Sequence, residues 1–168
     1  MENVSFSFSL TDNKELIESA LEAAIDRGLE AVGGQAVDYV ALLTPGRLRG
    51  SWTHVVDMDD PEGETVFIGT DVEYAPYVEF GTGKNGDNPT GDGWWVYVPG
   101  SEGEPKNPGK RYTEQEARRI VAILRSKGID AHMTQGQKPK HMLRDGLEKH
   151  KNEYKAIMEA YLSEAFAE

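Results

Sequence analysis

Residues 11–51 read TDNKELIESALEAAIDRGLEAVGGQAVDYVALLTPGRLRGS, and the parsing of this stretch decides the fold. Ile17, Leu21, Ile25, Gly28, Val32, Ala36, Tyr39 and Leu43 follow one another at steps of three or four, the period of one helix face. Thr11 and Asp12, just ahead, are good N-caps. The stripe keeps its phase across Gly33-Gly34, so the spacing predicts one helix with a soft point rather than two helices. A break there is the main risk, because each interior glycine costs about 1 kcal/mol relative to alanine. At about 1.5 Å per residue the helix runs about 40 Å, long for so small a domain. Thr44-Pro45-Gly46 ends it: proline forbids continuation and glycine supplies the turn.

On the N-terminal side, Val4, Phe6, Phe8 and Leu10 alternate with Ser5, Ser7 and Ser9, which predicts a strand with one buried face. On the C-terminal side, Ser51 to Asp57 and Thr65 to Thr70 read as two strands of a hairpin joined by the acidic turn 59–64. That turn lacks calcium-loop spacing, since Pro61 and Glu62 stand where an oxygen ligand and a glycine belong, so it reads as a solvated tip. From Gly81 to Lys110 glycine and proline crowd around Trp94-Trp95-Val96-Tyr97-Val98, read as a strand or hairpin arm between two flexible loops. Thr113 and Glu116 form a capping box for a helix carrying Ala117, Ile120, Val121 and Leu124, which Gly128 ends. Ile129 to Thr134 predicts a short strand. Pro139 suits the first turn of one last helix with the stripe Leu143, Leu147, Tyr154, Ile157, Met158, Tyr161, Leu162 and Phe166. The sum is α+β: an antiparallel β-sheet packed against a long N-terminal helix and a C-terminal helix, with a Gly/Trp-rich β-arm and short helix inserted at about 81–135 of a single domain, 1–168.

Composition narrows the function classes. The chain has 168 residues and a net charge of −11, with 29 acids against 18 bases, so it is ill suited to neutralising phosphates and gripping nucleic acid. Cysteine is absent, which removes disulfides, thiolate nucleophiles and cysteine-ligated metals together. No apolar run approaches the roughly 20 residues that span a bilayer, and MENVSFSFSL lacks the layout of a secretory signal.

Catalytic signatures are likewise missing. His54, His132, His141 and His150 form no metal-binding helix pair, and neither HExxH nor G-x-S-x-G occurs. Gly81-Thr82-Gly83-Lys84 lacks the upstream glycine of a phosphate loop and reads as a turn. We therefore expect no catalytic residue, no cofactor and no metal. A hydrolase using acids and a metal is disfavoured because no spacing singles out a pair. Trp94 and Trp95 should face opposite sides of a strand. The outward ring suits a protein interface or a sugar, and packing of both rings in a bent hairpin is an equal alternative. Arg47 and Arg49 either complement the helix end or form intersubunit salt bridges.

The segment Gly69-Thr70-Asp71-Val72-Glu73-Tyr74-Ala75-Pro76-Tyr77-Val78-Glu79-Phe80-Gly81-Thr82-Gly83 resembles a motif of the tail-completion or head–tail joining (neck) proteins of long-tailed bacteriophages, a minor tail component family. The turn Pro45-Gly46-Arg47-Leu48-Arg49-Gly50-Ser51 is similar to that family's T-G-x-L-x-x-S turn, with proline in place of threonine. Pro139-Lys140-His141-Met142-Leu143-Arg144-Asp145-Gly146-Leu147-Glu148 is similar to its P-x-P-F-L-R-P-A-L-E pattern, with His141-Met142 for Pro-Phe and Asp145-Gly146 for Pro-Ala. A Gly/Trp-rich insertion follows the motif, as in the family, though the segment 113–134 enlarges it. The likeness spans about residues 11–166 and implies a homo-oligomeric ring, expected to be a hexamer, between head connector and tail tube. It implies head-connector and tail proteins as partners, DNA only as passing cargo, no membrane, and a place in the virion after synthesis in the host cytoplasm. Tail-terminator and head-closure rings remain alternatives, as does, from another class, a monomeric carbohydrate- or peptide-binding module using the Trp94-Trp95 arm. Within the motif, Pro76 suits an edge strand or a bend, Tyr74 and Tyr77 bring amphipathic rings, and Gly81 and Gly83 let the backbone turn sharply. Such a segment can fix a loop at a subunit boundary, and a conventional core corner is the alternative.

Overall fold

The computed structural model describes residues 13–89, 91–100 and 110–166. The expected strand at Val4–Leu10 and the caps Thr11 and Asp12 fall outside them. The chain is α+β, as expected. Its contacts sort it into two compact units: Met1–Tyr39 with Trp52–Gly69 and Glu148–Glu168, and Val40–Ser51 with Thr70–Leu147.

Helix α1, Lys14–Leu43, is continuous through both glycines. Its buried line is Ala24, Gly28, Val32, Ala36 and Val40, a strict step of four. The predicted stripe was too bulky at its ends: Ile17 and Leu43 are exposed, whereas Ala24 is fully buried. Small residues hold the line because neighbours come close. In the first unit a Cβ on Gly28 would stand 2.7 Å from the Met158 sulfur, and one on Gly33 would run into the His54 ring. Gly34 has open space around it, and nothing in the structure explains it.

Strands β1 (Thr53–Asp57) and β2 (Thr65–Gly69) form the expected hairpin, with Val55 opposite Phe67. The strand begins two residues later than the sequence suggests, because Gly46–Ser51 closes into a 3-10 turn. The acids of the tip fold the tip itself: Asp57 Oδ1 accepts from Asp59 N at 3.0 Å, and Asp60 Oδ1 from Glu62 N at 2.9 Å. His54 turns inward and its Nε2 meets Glu30 at 2.8 Å. Val55 and Phe67 turn outward, 61 % and 53 % exposed.

The expected single C-terminal helix is two helices, α4 (Met142–Glu148) and α5 (Lys151–Ala165). His150 occupies the N-cap of α5, its ring stacked on Tyr39 at 3.5 Å and its Nδ1 2.9 Å from Glu153. Glu153 also accepts the Tyr39 hydroxyl. These two hydrogen bonds, Tyr39 first and then His150, hold the Glu153 carboxyl below the usual carboxylate range, and the bond to Glu153 pushes the Tyr39 phenol up. Helix α5 buries no residue fully.

The second unit contains the short helix α2 (Ala75–Glu79), then β3 (Trp95–Tyr97), α3 (Glu114–Ser126) and β4 (His132–Thr134). Among the described residues the strands form two two-stranded sheets, β1–β2 and β3–β4, in place of the one expected. Helix α3 has the predicted capping box, Thr113 and Glu116 bonding each other's backbone N–H, and Gly128 follows its end at φ +78°. Those bonds from Thr113 lower the Glu116 pKa. Leu48, Ala75, Ala117, Val121, Ala131 and Met142 are buried in this unit.

Candidate functional site

The motif that sequence reading treated as an edge strand or bend is helical. Tyr74 precedes α2, and Pro76 lies in its first turn, where a missing N–H costs nothing because that donor has no partner within the helix. The helix turns Ala75 and Glu79 inward, both 5 % exposed, and leaves Tyr74, Tyr77 and Phe80 exposed.

Glu79 closes a clasp onto α4. Its Oε2 accepts from Leu143 N at 2.9 Å and its Oε1 from Arg144 N at 3.0 Å. The main chain joins in: Lys140 N donates to the Val78 carbonyl at 2.9 Å, and His141 N to the Glu79 carbonyl at 3.1 Å. The first N–H groups of a helix have no partner within it, and a carboxylate there also meets the positive end of the helix dipole. His141, which directly precedes α4, has φ +49° and supplies no cap of its own. A residue 64 positions away performs that task. His141 Nε2 instead lies 3.4 Å from Asp87, whose N–H donates to the Phe80 carbonyl at 2.8 Å, and its buried Nδ1 has no hydrogen-bond partner among the described residues.

Beyond Phe80 the chain runs beside residues 135–139. Thr82 N donates to Gln137 O at 2.8 Å and Lys84 N to Gln135 O at 2.9 Å, while Gln137 N returns to Thr82 Oγ1 at 3.0 Å. Gly81 and Gly83 are both left-handed, at φ +70° and +62°. A Cβ on Gly81 would lie 2.5 Å from Gln137 O, and one on Gly83 would collide with Gln135 O and the Trp95 ring. Both glycines are thus required twice, by conformation and by space.

The remaining candidate residues divide. Leu48 is buried, and the turn around it closes on itself: Arg49 Nε donates to Thr44 O at 3.1 Å, and Ser51 Oγ donates to Leu48 O at 2.9 Å and meets Thr70 Oγ1 at 2.7 Å. Arg49 therefore serves the helix end, while Arg47 and Gly46 are exposed. Met142 is fully buried and Leu143 half-buried. Trp94 and Trp95 are both half-buried, and the tryptophan segment contains a strand, one of the two readings the sequence offered. It pairs with β4, and Trp94 exchanges two 2.9 Å backbone bonds with Tyr112. The Arg111 guanidinium lies over the Trp95 ring, 5.1 Å from its centroid. The structure thus brings Glu79, Gly81, Gly83, Trp95, Met142 and Leu143 into one neighbourhood. Sequence reading missed Thr82, Asp87, Arg111 and Gln137, which work through contacts across 50 or more residues or through stacking.

An open cavity of about 840 Å³ lies beside this ladder, its walls including Tyr77, Trp95 and Tyr97. Among the described residues no group of three or more His, Asp or Glu side chains could hold a metal ion, and no helix is long and apolar enough to cross a membrane. Each histidine faces a carboxylate, His132 through Asp130 at 2.9 Å, and none faces a second histidine. Compared with models of known protein families, with curated proteins and with solved structures, the chain matches none.

Proposed function

We propose that this chain is a structural protein of the neck of a tailed bacteriophage, a tail-completion or head–tail joining protein that acts without catalytic residue, cofactor or metal. The observation that carries the reading is the clasp. Two of the sequence segments that resemble the neck family, Tyr74–Gly83 and Pro139–Glu148, are joined through Glu79, which fixes α2 with Tyr74, Tyr77 and Phe80 facing outward. Large aromatic side chains on a rigid, exposed element are the usual anchors of protein interfaces. Copies of the chain form a ring, hexameric on the family likeness, between head connector and tail tube in the virion. Its neighbours there are connector and tail proteins, and DNA passes through. The charge of −11 suits passage, because an acidic wall repels phosphates over about 8–10 Å and does not hold them.

The test is cryo-electron microscopy of the particle encoded with this chain, combined with a photo-cross-linking amino acid in place of Tyr77. Density for a ring of this fold at the neck, and a Tyr77 cross-link to a neighbouring copy or neck protein, are the expected results. Particles with no such density, or a channel wall that is neutral or basic, overturn the ring or its DNA-sliding role respectively. Density at the tail end of the tube or at the head portal assigns the tail-terminator or head-closure role instead.

A further inference from the structure

We infer that the cavity beside the Gly81–Asn85 ladder is a binding site for a neutral polyhydroxylated ligand, a saccharide. Three aromatic residues line it, Tyr77, Trp95 and Tyr97, and the rings of the last two are held by contacts. Tyr77 stands on the clasped helix α2, Trp95 lies beside Gly83 with the Arg111 guanidinium over its ring, and Tyr97 stacks on His132 at 5.6 Å. Rings fixed before binding lose little freedom when a ligand arrives. Asn88 and Gln137 also line it, both exposed, and neither side-chain amide makes a hydrogen bond to a described residue. An amide offers donor and acceptor side by side, the pattern that a hydroxyl, itself donor and acceptor, can satisfy.

The lining excludes other ligand classes. Among the described residues no charged side chain lines the cavity, so none of them offers a partner to a phosphate, a carboxylate or an ammonium group. A purely apolar ligand would make no use of the two amides. A sugar ring has an apolar C–H face to lay on an aromatic ring and a rim of hydroxyls for the amides. The volume of about 840 Å³ lies within the range of small-molecule sites. This inference does not depend on the ring reading: microscopy of particles tests one, and titration of the purified chain tests the other.

The experiment is amide NMR and tryptophan fluorescence of the full chain with cellotriose, maltotriose and chitotriose, each titrated into the tens of millimolar, beside a proline-rich peptide. Saturable shifts at Tyr77, Asn88, Trp95 and Gln137 with one of the sugars are expected. Tyr77→Ala, at an exposed position that leaves the fold intact, should then weaken that sugar about tenfold, the loss of one aromatic contact. Asn88→Ala, also exposed, should weaken it severalfold. The inference is overturned if none of the three sugars gives a saturable response, if the shifts lie elsewhere, if both variants bind as the parent does, or if only the peptide binds.

Discussion

The two units hold themselves together by different means. The second is locked by directional contacts: the Glu79 carboxylate on two amides, Gly81 and Gly83 against backbone, and the Thr113–Glu116 box. The first has directional contacts too, Glu153 with Tyr39 and His150 and Glu30 with His54, but relies more on close approach: small residues along α1 admit the His54 ring and the Met158 side chain, helix α5 buries no residue fully, and Val55 and Phe67 lie paired on an exposed face. A two-stranded hairpin is marginal by itself and gains stability when its apolar face is covered. Both units leave apolar side chains at the surface, Val55 and Phe67 in the first and Tyr74, Tyr77 and Phe80 in the second.

The contrast breaks most sharply at Gly83. Gly83→Ala combines a left-handed φ with a backbone clash, and should destabilise the chain by about 3–4 kcal/mol, measured by urea unfolding. A change under about 1 kcal/mol would show that the ladder is soft. Glu79→Ala comes next, about 2–3 kcal/mol, because two N–H groups lose a charged acceptor. Glu79→Gln should cost less, since its amide oxygen can still accept. Hydrogen exchange should speed first at Leu143 and Arg144.

The first unit should respond more mildly, and with opposite signs at adjacent positions. Gly33→Ala pushes the His54 ring off Glu30 and should cost about 1–2 kcal/mol, whereas Gly34→Ala should stabilise by about 0.5–1 kcal/mol through helix propensity. Equal effects of the two, by thermal unfolding, would refute the close approach of His54. The smallest expected effect is acid sensitivity at Glu153. Its folded pKa is depressed, so its contribution is present above the pKa of the unfolded carboxyl and fades as pH falls through the lower, folded value. An acid titration followed by exchange of the α5 amides should lose that slope in Glu153→Gln and much of it in Tyr39→Phe.

Local chemistry was legible in the sequence wherever it acts within a few residues. The helical period of α1, its end at Thr44-Pro45-Gly46, the Thr113–Glu116 box and the stop at Gly128 stand where the residues place them, and the β1–β2 hairpin starts two residues later. Long-range contacts were not legible. Pro76 reads equally well as a strand breaker and as a helix first-turn residue, and only the inward burial of Ala75 and Glu79 selects the helix. One unbroken stripe from Leu143 to Phe166 concealed the break at Lys149-His150, because His150 stacks on a tyrosine more than a hundred residues away.

Sequence alone determined the inventory: an acidic, cysteine-free α+β chain with one long helix and a Tyr–Glu–Phe–Gly motif of glycines and rings. Tertiary structure alone decided what Glu79 is for, why Gly83 and Gly33 have no side chain, and that Trp95 shares a cavity with Tyr77. The physical reason is range. Periodicity, caps and turns are set by neighbours along the chain, while a carboxylate's partner or a glycine's missing Cβ is set by whatever the fold brings within about 3 Å of it.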